Sequence, residues 1–127
     1  MLRRLAVSLV AVTALATLAA CGGDDGGSTP TAPVEADLVV RAVPSIRWDA
    51  DSYSVAAGEV TVALVNDENV RHTLVILDGN TQVGGMQLEV NRRGDTDTGT
   101  VTLEPGTYSV FCTVPGHQNM NSELVVS

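Results

Sequence analysis

Short alternating segments dominate residues 37–127, and this pattern limits the fold more than any other feature of the sequence. In segment 59–65, for example, Val60, Val62 and Leu64 occupy every second position, which places them on one face of a β-strand. Turn residues such as Pro105 and Gly106 separate the segments, and we find no convincing amphipathic helix. The predicted strands are 38–43, 52–55, 59–65, 71–77, 87–90, 98–103, 107–112 and 120–126. The pattern predicts an all-β fold, a Greek-key β-sandwich of about eight strands.

Residues 111–120 place a thiol, an imidazole and a thioether in one turn-rich loop, as Cys112, His117 and Met120. Soft sulfur suits Cu(I) and imidazole suits Cu(II), so a site that serves both oxidation states combines these ligands. A trigonal site with two histidines and one cysteine needs a second imidazole, and the other histidine of the sequence is His72. The grouping therefore predicts a copper site. Zinc accepts similar ligands, but a cysteine together with a thioether favours redox copper.

Two longer motifs resemble the cupredoxins, the family of small type 1 blue copper proteins that includes plastocyanin, azurin, auracyanin and halocyanin. They read Val55-x-x-Gly58-x-Val60-x-Val62 followed by Asn66 and His72, and Leu103-x-Pro105-Gly106-x-Tyr108-x-x-x-Cys112-x-x-x-x-His117. The resemblance implies a cupredoxin-like domain at 37–127 that binds one copper ion. It also implies three equatorial ligands, His72, Cys112 and His117, with Met120 as the axial ligand.

The axial position is where this sequence departs from the family pattern. Met120 follows His117 by three residues, whereas many cupredoxins place the methionine four or five residues after this histidine. The end of the chain, from Met120 to Val126, nevertheless resembles the Met-x-Gly-x-Leu-x-Val ending of the family. Gln118 is the alternative axial ligand, because an amide oxygen also fills this position. We interpret Met86 as a packing residue.

Residues 1–20 have the features of a secretory signal peptide: Arg3 and Arg4 near the start, then an apolar run without a charge. The junction from Leu18 to Cys21 resembles the bacterial lipobox, which predicts cleavage before Cys21 and lipidation of its sulfur. A plain cleaved signal or an N-terminal membrane helix is the alternative. Residues 21–36 are rich in Gly and Pro and predict a flexible tether that spans about 20 Å.

Composition limits the partners of the predicted mature protein. The sequence has seven basic and fifteen acidic residues, and loss of Arg3 and Arg4 with the signal leaves five against fifteen, a net charge of −10. Nucleic acid and anionic lipid are therefore poor partners, whereas a redox protein with a basic patch fits. The alternative role of the surplus acids is to maintain solubility. We expect a monomer.

The cysteine and histidine counts separate a carrier from an enzyme. Of the two cysteines, Cys21 is expected to carry lipid, which leaves Cys112 as the one free thiol in an oxidising compartment. Two histidines in total cannot build a second, substrate-binding metal site, so we do not expect an enzyme.

The sequence thus predicts a one-electron carrier tethered to the outer face of the cytoplasmic membrane. By the family resemblance, the electron leaves through His117, and Val114 and Pro115 add an apolar docking patch for the redox partner. The alternative is a copper-binding lipoprotein that sequesters or delivers the ion. A third possibility is a copper-free interaction domain, and the complete ligand set argues against it.

Overall fold

The alternation at residues 38–43 forms a strand in the computed structural model, which describes residues 35–127. Leu38, Val40 and Ala42 are buried, while Val39 and Arg41 between them are half-buried, as the pleat of a strand requires. Ten strands follow one another in this part of the chain. They are β1 (Leu38–Val43), β2 (Arg47–Trp48), β3 (Ser52–Val55), β4 (Gly58–Asn66), β5 (His72–Asp78), β6 (Thr81–Gln82), β7 (Leu88–Val90), β8 (Thr96–Leu103), β9 (Gly106–Phe111) and β10 (Asn121–Val126).

The strands form two sheets. The first sheet has the order β2-β1-β4-β8, and the second has the order β3-β10-β9-β5-β6, with β7 also paired to β5. Two pairs of neighbours, β1 with β4 and β3 with β10, are parallel. Parallel neighbours cannot be joined by a tight hairpin, so the chain crosses between the sheets, as in Greek-key sandwiches.

The inner faces of the two sheets enclose one hydrophobic core. Leu64 from the first sheet and Leu74 and Ile76 from the second are fully buried within it. Full burial of a side chain of this size contributes about 1.5–3 kcal/mol. Trp48 of β2 crosses the core, because its indole Nε1 donates to the carbonyl oxygen of Val110 on β9 at 3.1 Å. The core therefore also ties the sheets together near the end of β9.

Strand β5 lies inside the second sheet, and its position determines where its first residue points. It pairs with β9 on one side, with Val75 opposite Phe111, and with β7 on the other, with His72 opposite Val90. Residues from His72 to Ile76 are all buried, so both faces of this predicted strand are covered. Because β5 and β9 are antiparallel, the start of β5 lies beside the end of β9.

The predicted all-β sandwich is confirmed. All eight predicted strands are present, with bounds within two residues of the prediction. The two unpredicted strands, β2 and β6, have two residues each, which is too short to show a period. Met86 is 8% exposed and packs in the core, as predicted.

Residues 1–34 lie outside the described part of the chain, and with them the predicted signal peptide, the lipidated Cys21 and most of the predicted tether. Within residues 35–127, no helix has the length and apolar character needed to cross a membrane.

Candidate metal centre

Three of the four predicted ligands meet at one end of the sandwich. His72 is the first residue of β5, Cys112 directly follows β9, and His117 lies in the loop between β9 and β10. Each offers one ligand atom, and these three atoms lie within 4.8 Å of one another. All three residues are buried, so the structure joins positions that are 40 residues apart in the sequence into one site.

Thr73 holds β5 and the segment after β9 together beside the ligands. Its Oγ1 accepts a hydrogen bond from the backbone N–H of Thr113 at 2.8 Å and shares a second with Thr113 Oγ1 at 2.7 Å. The same oxygen lies 3.7 Å from Cys112 Sγ. Thr73 thus fixes Cys112 relative to His72, its neighbour in sequence.

Backbone hydrogen bonds close the loop that carries the remaining ligands. The N–H of His117 donates to the carbonyl oxygen of Val114 at 3.0 Å. The N–H of Met120 donates to the carbonyl oxygen of His117 at 2.9 Å. A third bond, from Cys112 N–H to the carbonyl oxygen of Met120 at 3.1 Å, joins the two ends of the loop. Gly116 has a φ of 88°, which L-residues rarely adopt, so this turn requires glycine. The loop is therefore preformed.

The two ring nitrogens of His72 have different environments. Nε2 lies 2.8 Å from Oε1 of Glu68, and a carboxylate only accepts hydrogen bonds, which assigns the hydrogen to Nε2. Nδ1 then carries the lone pair, and this buried atom has no hydrogen-bond partner. Burial lowers the pKa of His72, the bond with Glu68 opposes this, and His117 lowers the pKa further. A neutral ring with a free lone pair is the form that binds metal.

Copper fits this group of atoms. Nδ1 of His117 lies 3.7 Å from Cys112 Sγ, and the rings of His117 and His72 have centroids 5.0 Å apart. One thiol sulfur and two imidazole nitrogens are the equatorial donors of a type 1 copper site. A metal ion would also satisfy Nδ1 of His72, which has no other partner.

The two candidate axial ligands differ in burial. The side chain of Met120 is fully buried, whereas Gln118 is exposed. The backbone of Met120 lies beside Cys112, whose N–H donates to the Met120 carbonyl oxygen at 3.1 Å, and the buried thioether is shielded from water. Burial therefore favours Met120, which agrees with the prediction from the sequence.

The predicted docking residues Val114 and Pro115 lie in the same loop as His117. His117 is 7% exposed, whereas His72 is completely buried. Val114 is half-buried and Pro115 is exposed, so both lie at the surface close to His117 in the loop. His117 is thus the imidazole nearer to solvent.

Three residues around the site were not predicted from the sequence: Glu68, Thr73 and Trp48. Glu68 and Thr73 hydrogen-bond within the site, and the Trp48 ring lies tilted against His72 with centroids 6.4 Å apart. Glu68 and Thr73 lie close to His72 in the sequence, which is a signal that they are near the site. Trp48 is 24 residues away from His72 and gives no such signal.

Residues 36–127 match the family model for copper-binding proteins of the plastocyanin/azurin family, and the chain belongs to this family. This confirms the predicted cupredoxin and copper as its cofactor, and His72, Cys112 and His117 are positioned as a copper site. A search of curated proteins finds no significant match.

Solved structures share the fold. Reduced auracyanin from Roseiflexus castenholzii is 20% identical, with a TM-score of 0.61 over 71% of this chain and 95% of that one. Auracyanin A from Chloroflexus aurantiacus, described as a blue copper protein, is 22% identical, with a TM-score of 0.61 over 70% and 96% of the two chains. A purple cupredoxin from Nitrosopumilus maritimus is 21% identical, with a TM-score of 0.55 over 72% and 100%.

Proposed function

We propose that the protein is a membrane-tethered one-electron carrier with a type 1 copper site. The observation that carries the proposal is the buried group of His72, Cys112 and His117, whose ligand atoms lie within 4.8 Å of one another. Family membership supports the choice of copper, and the fold shared with auracyanin A, a blue copper protein, agrees with it.

When bound, copper supplies a one-electron couple between Cu(I) and Cu(II). The chain contributes the fixed geometry: Thr73 ties the two ligand strands together, and three backbone bonds close the loop around His117. Ligands that cannot relax keep the same positions in both oxidation states, so little reorganisation accompanies electron transfer. Burial also excludes water and substrates from the site, which suits a carrier better than an enzyme.

The face around His117 is the proposed exit for the electron. This ligand is the less buried of the two histidines, and the apolar Val114 and Pro115 lie next to it in the loop. A redox partner that packs on these residues comes close to a copper ligand. We propose that the partner carries a basic patch, because acidic residues outnumber basic ones in this chain.

Electron self-exchange tests the carrier role against copper sequestration or delivery. We expect NMR signals of the copper protein to broaden when reduced and oxidised forms are mixed, because electrons exchange between copies. Pro115→Glu places a repelling charge on the exit face and should slow this exchange about tenfold or more, a contribution of ~1.4 kcal/mol to the barrier. The matched control is Thr102→Glu, which adds the same charge on β8. Thr102 lies beside the start of β4 at Gly58, and Asn66 is at the opposite end of that strand.

Slow self-exchange in the wild-type protein, together with rapid loss of Cu(I) to a soluble chelator, would instead assign the protein to copper delivery. Equal exchange rates in the two charge variants would place the exit face elsewhere.

We further propose that Cys21 is lipidated and anchors the domain to the outer face of the cytoplasmic membrane. The support is the sequence from Leu18 to Cys21 after an apolar run, followed by a Gly-rich segment. Cys21→Ser should move the protein out of the membrane fraction while its copper content is unchanged. Cys112→Ser is the matched control, because it removes the other thiol and should leave the anchor intact. An unmodified mature N-terminus away from Cys21, found by mass spectrometry, would refute the anchor.

A further inference from the structure

Glu68 is a buried acid beside a predicted copper ligand. Its side chain is 10% exposed, and its Oε1 lies 2.8 Å from Nε2 of His72. Within residues 35–127, His72 is the one side chain that hydrogen-bonds to this carboxylate. Burial of a carboxylate is costly unless it is paired, so the contact with His72 is what makes this position tolerable for an acid.

The turn before β5 fixes Glu68 in place. Oδ1 of Asn66 accepts from the backbone N–H of Glu68 at 3.1 Å, and Nδ2 of Asn66 donates to the carbonyl oxygen of Val70 at 2.7 Å. The backbone N–H of Asp67 donates to the carbonyl oxygen of Ala42 on β1 at 2.8 Å. The backbone around Glu68 is therefore held on both sides, and the carboxylate reaches His72 from a rigid support.

The neighbouring cations do not neutralise Glu68. Arg41 forms a two-pronged ion pair with Asp67, with distances of 2.7 and 2.8 Å. Arg71 forms a similar pair with Glu89, with both distances at 3.0 Å. Both guanidinium groups thus have another carboxylate as partner, so the negative charge of Glu68 acts on the His72 ring.

We propose that Glu68 is a positioning residue that holds the ring of His72 with Nδ1 toward the copper site and lowers the midpoint potential of that site. The inference rests on the copper site proposed above and concerns how the chain tunes it. A carboxylate that accepts from the far nitrogen of a ligating imidazole fixes its orientation and increases its electron donation. Both this donation and the nearby negative charge favour Cu(II) over Cu(I).

Glu68→Gln tests the tuning, because the amide oxygen still accepts from Nε2 while the charge is lost. We expect the ratio of Cu(II) to Cu(I) affinity to fall about tenfold, which raises the midpoint potential by ~59 mV for a one-electron couple. Glu59→Gln is the matched control: it removes the same charge from an exposed acid at the Gly58 end of β4, the opposite end from Asn66, where salt screens it, so the midpoint potential of this variant should stay at the wild-type value.

Equal potentials in the two variants, with an intact visible copper band, would refute the role of Glu68 and leave the copper site standing. A wild-type protein that lacks the band would refute the copper site itself. The two failures are therefore distinguishable.

The orientation of His72 is tested without copper and without a variant. Nitrogen NMR of the copper-free wild-type protein should show a neutral His72 ring with the hydrogen on Nε2 and a slowly exchanging Nε2 proton. A ring with its hydrogen on Nδ1 would overturn the proposal, because Glu68 would then have no donor in His72.

Discussion

Met120 and Gln118 lie two residues apart in the same loop, yet one is fully buried and the other is exposed. A weak axial ligand acts on the potential of a type 1 site more than on its ability to bind copper, because the three equatorial bonds dominate. The midpoint potential of Met120 variants therefore decides whether Met120 is a ligand or only a core residue.

Met120→Leu should preserve copper binding and the visible band and should raise the midpoint potential. Leucine donates no electrons to the ion and keeps water out, and both effects disfavour Cu(II). The expected rise is on the order of 59 mV, a tenfold change in relative affinity, measured by redox titration. Met120→Gln should lower the potential, since the harder amide oxygen stabilises Cu(II).

The control for the axial ligand is Gln118→Leu, which should change neither potential nor spectrum because this side chain faces water. The opposite pattern, with no effect at Met120 and a shift at Gln118, would make Met120 a core residue and Gln118 the axial ligand.

The predictability of single residues depends on how rare their type is. His72 and His117 are the two histidines of the chain, so the sequence alone singles them out. Glu68 is one of fifteen acids, and its role depends on the turn that Asn66 forms. Its position four residues before His72 marks Glu68 as a neighbour of the site, but the hydrogen bond that defines its role follows from three-dimensional contacts.

At the scale of the strands, local pattern predicted most of the fold. Alternation is visible within six to nine residues, as in β1, β4 and β8, so these strands were found with bounds within two residues. The two-residue strands β2 and β6 depend on hydrogen bonds to a neighbour and carry no period. The hairpin between β1 and β2 was missed for this reason, and with it the place of Trp48 in the core.

The pairing of β5 with β9 follows from the predicted ligands rather than from the patterns of the two strands. A shared ion requires His72 and Cys112 to lie together, and a sandwich achieves this when their strands are neighbours. The structure has this pairing and shows Thr73 as the residue that holds it. Hydroxyl contacts of this kind are not encoded in hydrophobic periodicity.

In the proposed function, the whole molecule separates its tasks along the chain. The described residues 35–127 contain the site, with ligands that are buried apart from the edge of His117. Residues 1–34 carry the proposed signal, the anchor at Cys21 and most of the tether. The proposed tether would allow the domain to turn its exit face toward a partner while the proposed anchor holds it at the membrane.

The absorption spectrum after stoichiometric addition of Cu(II) tests the central claim most directly. Cys112 is the one free cysteine among the described residues, and its sulfur lies within reach of both imidazoles. We predict an intense visible thiolate-to-copper charge-transfer band at one copper per chain, which Cys112→Ser abolishes. A colourless wild-type protein that has bound one equivalent of Cu(II) would contradict the type 1 assignment and the electron-carrier function that rests on it.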